Sequence, residues 1–366
     1  MSDNPYSDIP GPDADGTQGE SSWQPIDMTD AVAGGDVTEP TRLERTDGVA
    51  LLYPGRVHWM QGESESLKSW AAQLAIAQAL TADGSALCID FEDDERGVAS
   101  RLTALGVPAA VICDPDRFVY VRPDEPLRNA QGAVTVGEIA LQPVLARLWD
   151  VVVIDGVTEA MTVEGLSLMD NADAANWMRL LPKRIAATTG AAVVCIDHVT
   201  KNRDGQGRYA LGAQHKLAGV TGAVFKVEAR RRLSRATTEP VTATSVITVE
   251  KDRPGWVRSQ ADGGTIAVLE LTAYPDGAVA GQLLAPSAVV ELPDWELCES
   301  ILSHLTTYDG ASKNQIEQAV NGKASAQREA ITWMVAQAWI EVRKEGQAHR
   351  HYLTDAGRDA LKDRNP

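Results

Sequence analysis

The stretch Gly62-Glu63-Ser64-Glu65-Ser66-Leu67-Lys68-Ser69 decides the fold class of this chain. It follows an apolar run at 57–62 that is typical of a buried strand, and it leads into a run at 68–80 that favours a helix. In a loop between such a strand and helix, the backbone amides surround phosphate oxygens and the helix start adds positive potential. The stretch therefore predicts a loop that binds nucleotide phosphates.

Each residue of this loop has an expected role. Lys68 would reach the β- and γ-phosphates of a nucleotide, and Ser69 would hold Mg²⁺. The six residues from Gly62 to Leu67 would present their backbone amides to the phosphates. Leu67 stands where such loops normally have their last glycine, so its Cβ can crowd the loop or the nucleotide.

Apolar runs alternate with helical patterns over the first two thirds of the chain. Strands are predicted at 57–62, 86–91, 118–121, 151–154 and 191–196, and helices at 68–80, 96–105, 136–148 and 171–188. Strands that are apolar on both faces indicate a mainly parallel α/β sheet covered by helices on both sides. After Gly222, the β-rich runs at 223–227, 245–249 and 265–271 predict antiparallel strands that extend the same sheet.

The run Val151-Val152-Val153-Ile154-Asp155 supplies a second feature of a nucleotide site. Four strand-forming residues end in an acid, and an aspartate at this place can bind Mg²⁺ through water. Many buried strands end in Asp, so the run means little alone. Together with a strand–loop–helix upstream it is fairly specific, and it makes Asp155 a candidate metal ligand.

This order of elements resembles the RecA/DnaB-like ATPase core over roughly residues 48–275. Within that class it is most similar to the RepA-like hexameric helicases of plasmids and phages, the AAA_25 ATPases. The resemblance implies a RecA-like twisted sheet, with ATP and Mg²⁺ as cofactors. It implies that Glu92 activates water and that His198 is a polar sensor facing the γ-phosphate. The alternatives are a solvated helix start for the acidic run 92–95 and an ordinary strand-end histidine.

The basic, glycine-rich segment 200–216 follows the last predicted parallel strand. In RecA-like rings the loop at this place lines the central channel and touches single-stranded DNA. The resemblance implies that cationic side chains neutralise phosphates there while a tyrosine stacks on a base. An ordinary solvated loop is the alternative. The residues concerned are Lys201, Arg203, Arg208, Tyr209 and Lys216.

The segment from Val249 to Gly255 contains Lys251 and Arg253, which resemble the Lys-x-Arg finger of DnaB-like rings. Such a finger reaches the γ-phosphate that the neighbouring subunit holds, and there it stabilises the charge of the transition state. The resemblance therefore implies a homo-oligomer, a hexameric ring, in which each active site is shared by two subunits.

The flanking sequence and the composition bound the remaining possibilities. The formal net charge of −17 argues against binding to DNA. However, residues 1–41 hold nine acidic side chains and no Lys or Arg, so the rest of the chain is less acidic and DNA binding there remains compatible with the composition. Residues 1–40 are predicted to be a mostly disordered acidic arm. Four distant cysteines without a CxxC pair predict buried reduced thiols rather than a zinc site. No signal peptide or membrane span is predicted, which points to a cytoplasmic protein.

Residues 285–294 are predicted to be a linker, and 295–366 a small domain with three helices, a hairpin and a last helix. This pattern looks like a winged helix, with Ser312 as an N-cap. Such domains commonly place a helix in the DNA major groove, but many bind protein instead. Both partners stay open. The candidate contacts are Lys323, Gln327 and Arg328 on the third helix, and Arg343, Lys344, His349 and Arg350 on the wing.

These features together favour an ATP-dependent DNA motor, a hexameric replicative-type helicase that translocates on single-stranded DNA. One alternative is a RecA-like recombinase or a DNA-stimulated ATPase that does not unwind. Another is a nucleotide-switched DNA-binding regulator that is not a motor, in which Leu67 has impaired hydrolysis. Intact Lys68, Ser69, Asp155 and Arg253 count against that last reading.

Overall fold

Fully buried strands with helices between them form the core of the molecule. The structure, a computed structural model, describes residues 25–33, 39–129, 131–198, 213–286, 295–346 and 348–362. The chain divides into two units, Met1–Val37 and Thr38–Pro366. In the first unit the structure describes one short helix, α1 (Thr29–Ala33). Most of the predicted acidic arm lies outside the described residues.

Nine strands of the second unit form one sheet, in the order β11-β10-β9-β8-β3-β7-β6-β4-β5. The strands up to residue 286 are β1 (Arg42–Glu44), β2 (Ala50–Leu52), β3 (Val57–Gly62), β4 (Ala86–Asp90), β5 (Phe118–Val121), β6 (Val151–Asp155), β7 (Ala192–His198), β8 (Ala223–Arg231), β9 (Val241–Asp252), β10 (Thr265–Ala273) and β11 (Val279–Leu284). The helices are α2 (Lys68–Thr81), α3 (Glu95–Ala104), α4 (Ala109–Ile112), α5 (Val136–Leu145), α6 (Val157–Val163), α7 (Asn171–Leu180), α8 (Pro182–Thr189), α9 (Ala213–Gly219) and α10 (Trp256–Ser259).

The six strands from β8 to β5 in this order are parallel, and β9, β10 and β11 continue the sheet as antiparallel neighbours. This confirms the predicted mainly parallel sheet and its antiparallel extension. Side chains of β6 alternate between two core clusters: Val151 and Val153 face the cluster that contains α2, and Val152 and Ile154 face the cluster that contains α7 and α8. Helices therefore cover both faces, as the continuous apolar runs predict.

The single helix predicted at 171–188 is wrong, because the structure has two helices there. Helix α7 ends at Leu180 and α8 begins at Pro182, while Leu181 between them has φ −123° and ψ −72°. Proline has no backbone N–H to continue the helix, and it disfavours the helical conformation of the preceding residue. The helix predicted at 136–148 is also shorter and ends at Leu145. The prediction missed β11 and the β1–β2 hairpin.

The C-terminal segment has its own hydrophobic core. Its elements are α11 (Trp295–Thr307), β12 (Ala311–Ser312), α12 (Lys313–Ala319), α13 (Ala324–Ala336), β13 (Ile340–Glu345), β14 (Ala348–Leu353) and α14 (Asp355–Lys362), with the sheet order β12-β14-β13. Ser312 is the N-cap of α12, as predicted, and the structure adds a capping box with Gln315. Of the predicted linker, residues 287–294 lie outside the described residues.

Three of the four cysteine thiols, those of Cys88, Cys195 and Cys298, are buried and free, as predicted. Cys113 is also free but exposed, so the prediction of a buried thiol is wrong for this residue. In the described parts of the chain, no helix has the length and apolar character needed to cross a bilayer.

Candidate active site

The predicted phosphate, metal and water-activating residues lie where four adjacent parallel strands, β3, β7, β6 and β4, end on the same edge of the sheet. The register pairs Gly62 with His198, and Asp90 with Asp155. Side chains that follow neighbouring parallel strands converge at this edge, which is where open α/β sheets bind their ligands.

The loop between β3 and α2 has a tightly defined backbone. A Cβ at Gly62 would lie 2.4 Å from the carbonyl oxygen of Val227 and 2.5 Å from the Ser66 hydroxyl, so only glycine fits. The Ser245 hydroxyl donates a 2.8 Å hydrogen bond to the carbonyl of Ser66 and fixes the end of the loop. Glu63, Ser64 and Glu65 are exposed.

Leu67, at the position of the usual glycine, adopts the left-handed conformation that this glycine would adopt, with φ +70°. This conformation costs a residue with a Cβ about 1–2 kcal/mol. The Leu67 side chain is only 7% exposed and belongs to the core cluster that contains α2. The expected crowding is therefore avoided within the loop, because the side chain packs into the core.

Lys68, His198 and Glu92 form a continuous series of polar contacts. Lys68 Nζ lies 3.0 Å from His198 Nδ1, and His198 Nε2 lies 3.2 Å from Glu92 Oε2. Burial lowers the pKa of Lys68, although the nearby Asp155, Glu92 and Asp197 act in the opposite direction. The structure thus brings together the predicted phosphate-binding lysine, the sensor and the water-activating carboxylate.

Asp155 is a buried carboxylate with unused hydrogen-bonding capacity. Its Oδ1 atom is buried without a hydrogen-bond partner among the described residues, while the Ser69 hydroxyl bonds to the carboxylate. Burial, with Glu92 and Asp90 nearby, raises the pKa of Asp155 to about 6. These two residues fit the predicted Mg²⁺ ligands, because a cation would compensate the buried charge. Among the described residues, no three His, Cys, Asp or Glu side chains form a metal site of their own.

The acidic run after β4 divides into two parts with different roles. Asp94 is the N-cap of α3, where it accepts a hydrogen bond of 2.8 Å from the Gly97 amide, and Asp93 pairs with Arg101. Asp93 and Asp94 therefore belong to a helix start, which is the alternative interpretation of the acidic run 92–95. Glu92 alone faces the site, and its amide donates a 3.0 Å hydrogen bond to Asp90.

Two carboxylates at the site, Glu159 and Asp197, were missed from the sequence. Glu159 lies on α6, and its carboxyl group contacts that of Glu92. Asp197 accepts hydrogen bonds from the His198 amide at 3.0 Å and from the Thr158 hydroxyl at 3.3 Å. Asp197 ends a buried strand as Asp155 does, so the same pattern indicates it. No comparable signal marks Glu159.

Comparison with protein families agrees with this geometry. Residues 24–204 match the AAA_25 family, an AAA domain. This match supports a P-loop ATPase domain of the RecA-like class. The match includes Lys68, Glu92, Asp155 and His198, and it ends before Lys216, Lys251 and Arg253. No curated protein matches the chain significantly.

Lys251 and Arg253, the predicted finger, lie after the ATPase match and away from the contacts of Lys68. The Lys251 ammonium group donates hydrogen bonds to the carbonyls of Leu217 at 2.5 Å and Val220 at 3.4 Å. Arg253 is exposed and donates to the carbonyl of Ala218 at 3.2 Å. Both side chains therefore hold the end of α9, and burial lowers the pKa of Lys251.

Lys216 does not lie on a DNA-binding surface, which corrects the prediction for this residue. Its ammonium group is buried and forms a 3.2 Å ion pair with Asp197. A buried charge that loses its partner is strongly destabilising, so this lysine is not free to leave Asp197 for a phosphate. The other predicted DNA contacts, Lys201, Arg203, Arg208 and Tyr209, lie outside the described residues.

The candidate contacts of the C-terminal segment are less available than the sequence indicates. Gln327 is buried and donates a 2.6 Å hydrogen bond to the Val320 carbonyl, so its prediction as a DNA contact is wrong. Arg328 pairs with Glu317, and Arg343 pairs with Glu341. Arg350 is half-buried, whereas the side chains of three other candidates are exposed, Lys323, Lys344 and His349.

Proposed function

We propose that this chain hydrolyses ATP to move along single-stranded DNA, as a hexameric ring of the replicative helicase type. The observation that carries the ATPase part is the series Lys68–His198–Glu92 beside buried Asp155, at the end of four parallel strands. A lysine for the phosphates, a carboxylate for the water and an acid for Mg²⁺ are the groups that phosphoryl transfer to water uses.

In the proposed reaction, water attacks the γ-phosphate in line with the bond to ADP. Glu92 orients this water and accepts its proton, while the Lys68 ammonium group offsets negative charge on the phosphate oxygens. Mg²⁺ held by Ser69 and Asp155 would supply further charge neutralisation. His198 Nδ1 lies 3.0 Å from the Lys68 ammonium group, so a γ-phosphate bound to Lys68 would also lie close to His198.

The exposed position of Arg253 supports the proposed hexameric ring. Its side chain bonds to the end of α9 and has no contact with Lys68, Glu92 or Asp155 among the described hydrogen bonds. An arginine that completes an active site from a neighbouring subunit needs this kind of exposure. The trans arrangement makes hydrolysis depend on assembly, as in other ATPases that receive an arginine finger.

The proposed contact with DNA rests on the basic segment between β7 and α9. Strand β7 ends at His198, which touches Lys68 and Glu92, and α9 is tied to β7 by the Lys216–Asp197 ion pair. The segment is therefore bounded on both sides by groups next to the nucleotide site. The proposed link between ATP state and DNA binding therefore runs through His198 and the Lys216–Asp197 ion pair.

We also propose that the C-terminal segment is a winged helix. Its order α11-β12-α12-α13-β13-β14-α14 and its three-stranded sheet support this assignment. Pairing of Arg328 and Arg343 with glutamates removes much of the charge available for phosphates. A protein partner is therefore favoured over DNA for this domain.

ATP turnover with and without single-stranded DNA, together with unwinding of a forked duplex, tests the proposal. Lys68→Ala is expected to abolish turnover, while Lys226→Ala, which only breaks a half-exposed pair with Glu228, leaves it intact. Light scattering in the presence of ATP is expected to show a hexamer. DNA-stimulated turnover without unwinding would instead indicate a recombinase-like ATPase, and ATP binding without turnover would indicate a nucleotide-switched regulator. Full turnover in Lys68→Ala would contradict the assigned site.

A further inference from the structure

The carboxyl groups of Glu92 and Glu159 meet beside the proposed reaction site. Their contact is a side-chain hydrogen bond that raises the pKa of Glu159, and both side chains lie against Gly156. The Oε2 atom of Glu159 is buried and has no hydrogen-bond donor among the described residues. A buried carboxylate oxygen without a donor is costly when it is charged. The pair therefore needs a proton between its two members.

A glycine makes this approach possible. Gly156 is the N-cap of α6 with φ +88°, and it separates Asp155 from the helix that carries Glu159. A Cβ at Gly156 would lie 2.7 Å from Glu92 Cγ and 3.2 Å from Glu159 Oε2. Any other residue would push the two carboxyl groups apart. The backbone is thus built so that the pair can touch.

The surroundings decide which member holds the proton. Two carboxyl groups in contact do not both ionise, and the proton stays on the one whose charge is less well compensated. The Glu92 side chain is 29% exposed and faces His198 at 3.2 Å, with the Lys68 charge nearby. Burial and the contact with Glu92 raise the pKa of Glu159, against the lowering effect of its own backbone amide. Glu159 is therefore the member of the pair that holds the proton.

We propose that Glu159 is a positioning residue, whose carboxylic acid donates a hydrogen bond to the Glu92 carboxylate and holds it against His198. Glu92 then keeps one oxygen directed at the place where the attacking water is activated. A fixed orientation matters because a misplacement of about 1 Å can cost about 10²-fold in rate. This inference rests on the proposed ATP hydrolysis for its consequence in turnover, but the shared proton does not depend on it.

The kinetic test compares Glu159→Ala with Glu159→Gln. The amide of glutamine keeps a donor for Glu92, whereas alanine removes it. In Glu159→Ala, kcat for ATP is expected to fall by about 10- to 100-fold while KM changes less than about twofold, since Glu159 acts on orientation only. Glu159→Gln is expected to restore kcat to within about threefold of wild type. The matched control is Glu164→Gln near the end of the same helix, where the carboxylate instead accepts the Leu127 amide at 2.9 Å.

A spectroscopic test uses the nucleotide-free protein and does not need turnover. At pH 8, where the Asp155 carboxyl group with its pKa of about 6 is ionised, the infrared spectrum is expected to contain a protonated carboxyl band that Glu159→Gln removes and Glu164→Gln retains. A band that survives in Glu159→Gln would overturn the shared proton, and a glutamine variant as slow as the alanine variant would overturn the positioning role. If wild type lacks turnover while the band behaves as expected, the proposed ATPase function fails and the carboxyl pair stands.

Discussion

Replacing Asp155 with asparagine is expected to stabilise the nucleotide-free protein at neutral and alkaline pH. The folded protein raises the pKa of Asp155 from an ordinary 3.8 to about 6. Between these values the folded chain binds more protons than the unfolded chain, so its stability falls as the pH rises. The penalty is absent below about pH 4 and complete above about pH 6. Since one pKa unit corresponds to about 1.4 kcal/mol, the full penalty is about 3 kcal/mol.

Asparagine has nearly the same shape and keeps an acceptor for the Ser69 hydroxyl, but it carries no charge. The free energy of unfolding of Asp155→Asn, measured by denaturant titration, is therefore expected to exceed that of wild type by about 3 kcal/mol at pH 8. At pH 4 the two proteins are expected to be nearly equal. ATP hydrolysis is lost in the variant at either pH, because the metal ligand is gone.

The control is Asp276→Asn, an exposed turn residue whose carboxylate accepts the Ala278 amide at 3.0 Å. Surface changes of this kind shift stability by less than about 0.5 kcal/mol. The reasoning fails if Asp155→Asn and wild type differ equally at both pH values, or if the variant is the less stable protein at pH 8. Either result would mean that the Asp155 charge is already compensated in the nucleotide-free site.

Two further predictions concern the loop and the ring. Both Leu67→Ala and Leu67→Gly lose the packing of the leucine side chain, but only Leu67→Gly also relieves the strain of the left-handed backbone. In thermal melts Leu67→Gly is therefore expected to be more stable than Leu67→Ala by about 1 kcal/mol. A more stable alanine variant would argue against strain at this position. Arg253→Ala is expected to bind ATP but to hydrolyse it about 10³-fold more slowly. Mixing it with Lys68→Ala subunits should restore partial turnover, and mixtures as inactive as either parent would show that Arg253 does not act across subunits.

The mainly parallel sheet follows from periodicity because it depends on strong, repeated signals. Four buried strands in succession leave little choice but a parallel sheet covered by helices. The boundary at Leu181 was missed although Pro182 marks it, because the apolar pattern of α7 and α8 continues across the break. Strand β11 was missed because an edge strand with exposed alternate residues has a weak apolar signal.

The sequence places candidate site residues well at the ends of strands, and poorly where contacts join distant segments. Lys68 and Glu92 follow strands of the sheet, while Asp155 and His198 are the last residues of theirs, so fold and position together indicate them. Lys216 looked like a DNA contact because its neighbours are basic and glycine-rich. Its burial against Asp197 depends on how α9 packs, which sequence spacing does not contain.

Leu67 shows why a departure from a motif needs the fold before it can be interpreted. The usual glycine at this place supplies two properties, freedom of φ and the absence of a side chain. Leu67 keeps the left-handed backbone conformation, with φ +70°. Its side chain, which glycine would lack, packs in the core beside α2 instead of crowding the loop. Burial of a leucine side chain contributes about 1.5–3 kcal/mol, which is comparable to the 1–2 kcal/mol cost of the left-handed backbone. The two terms nearly cancel, so the substitution does not by itself mean a decayed nucleotide site.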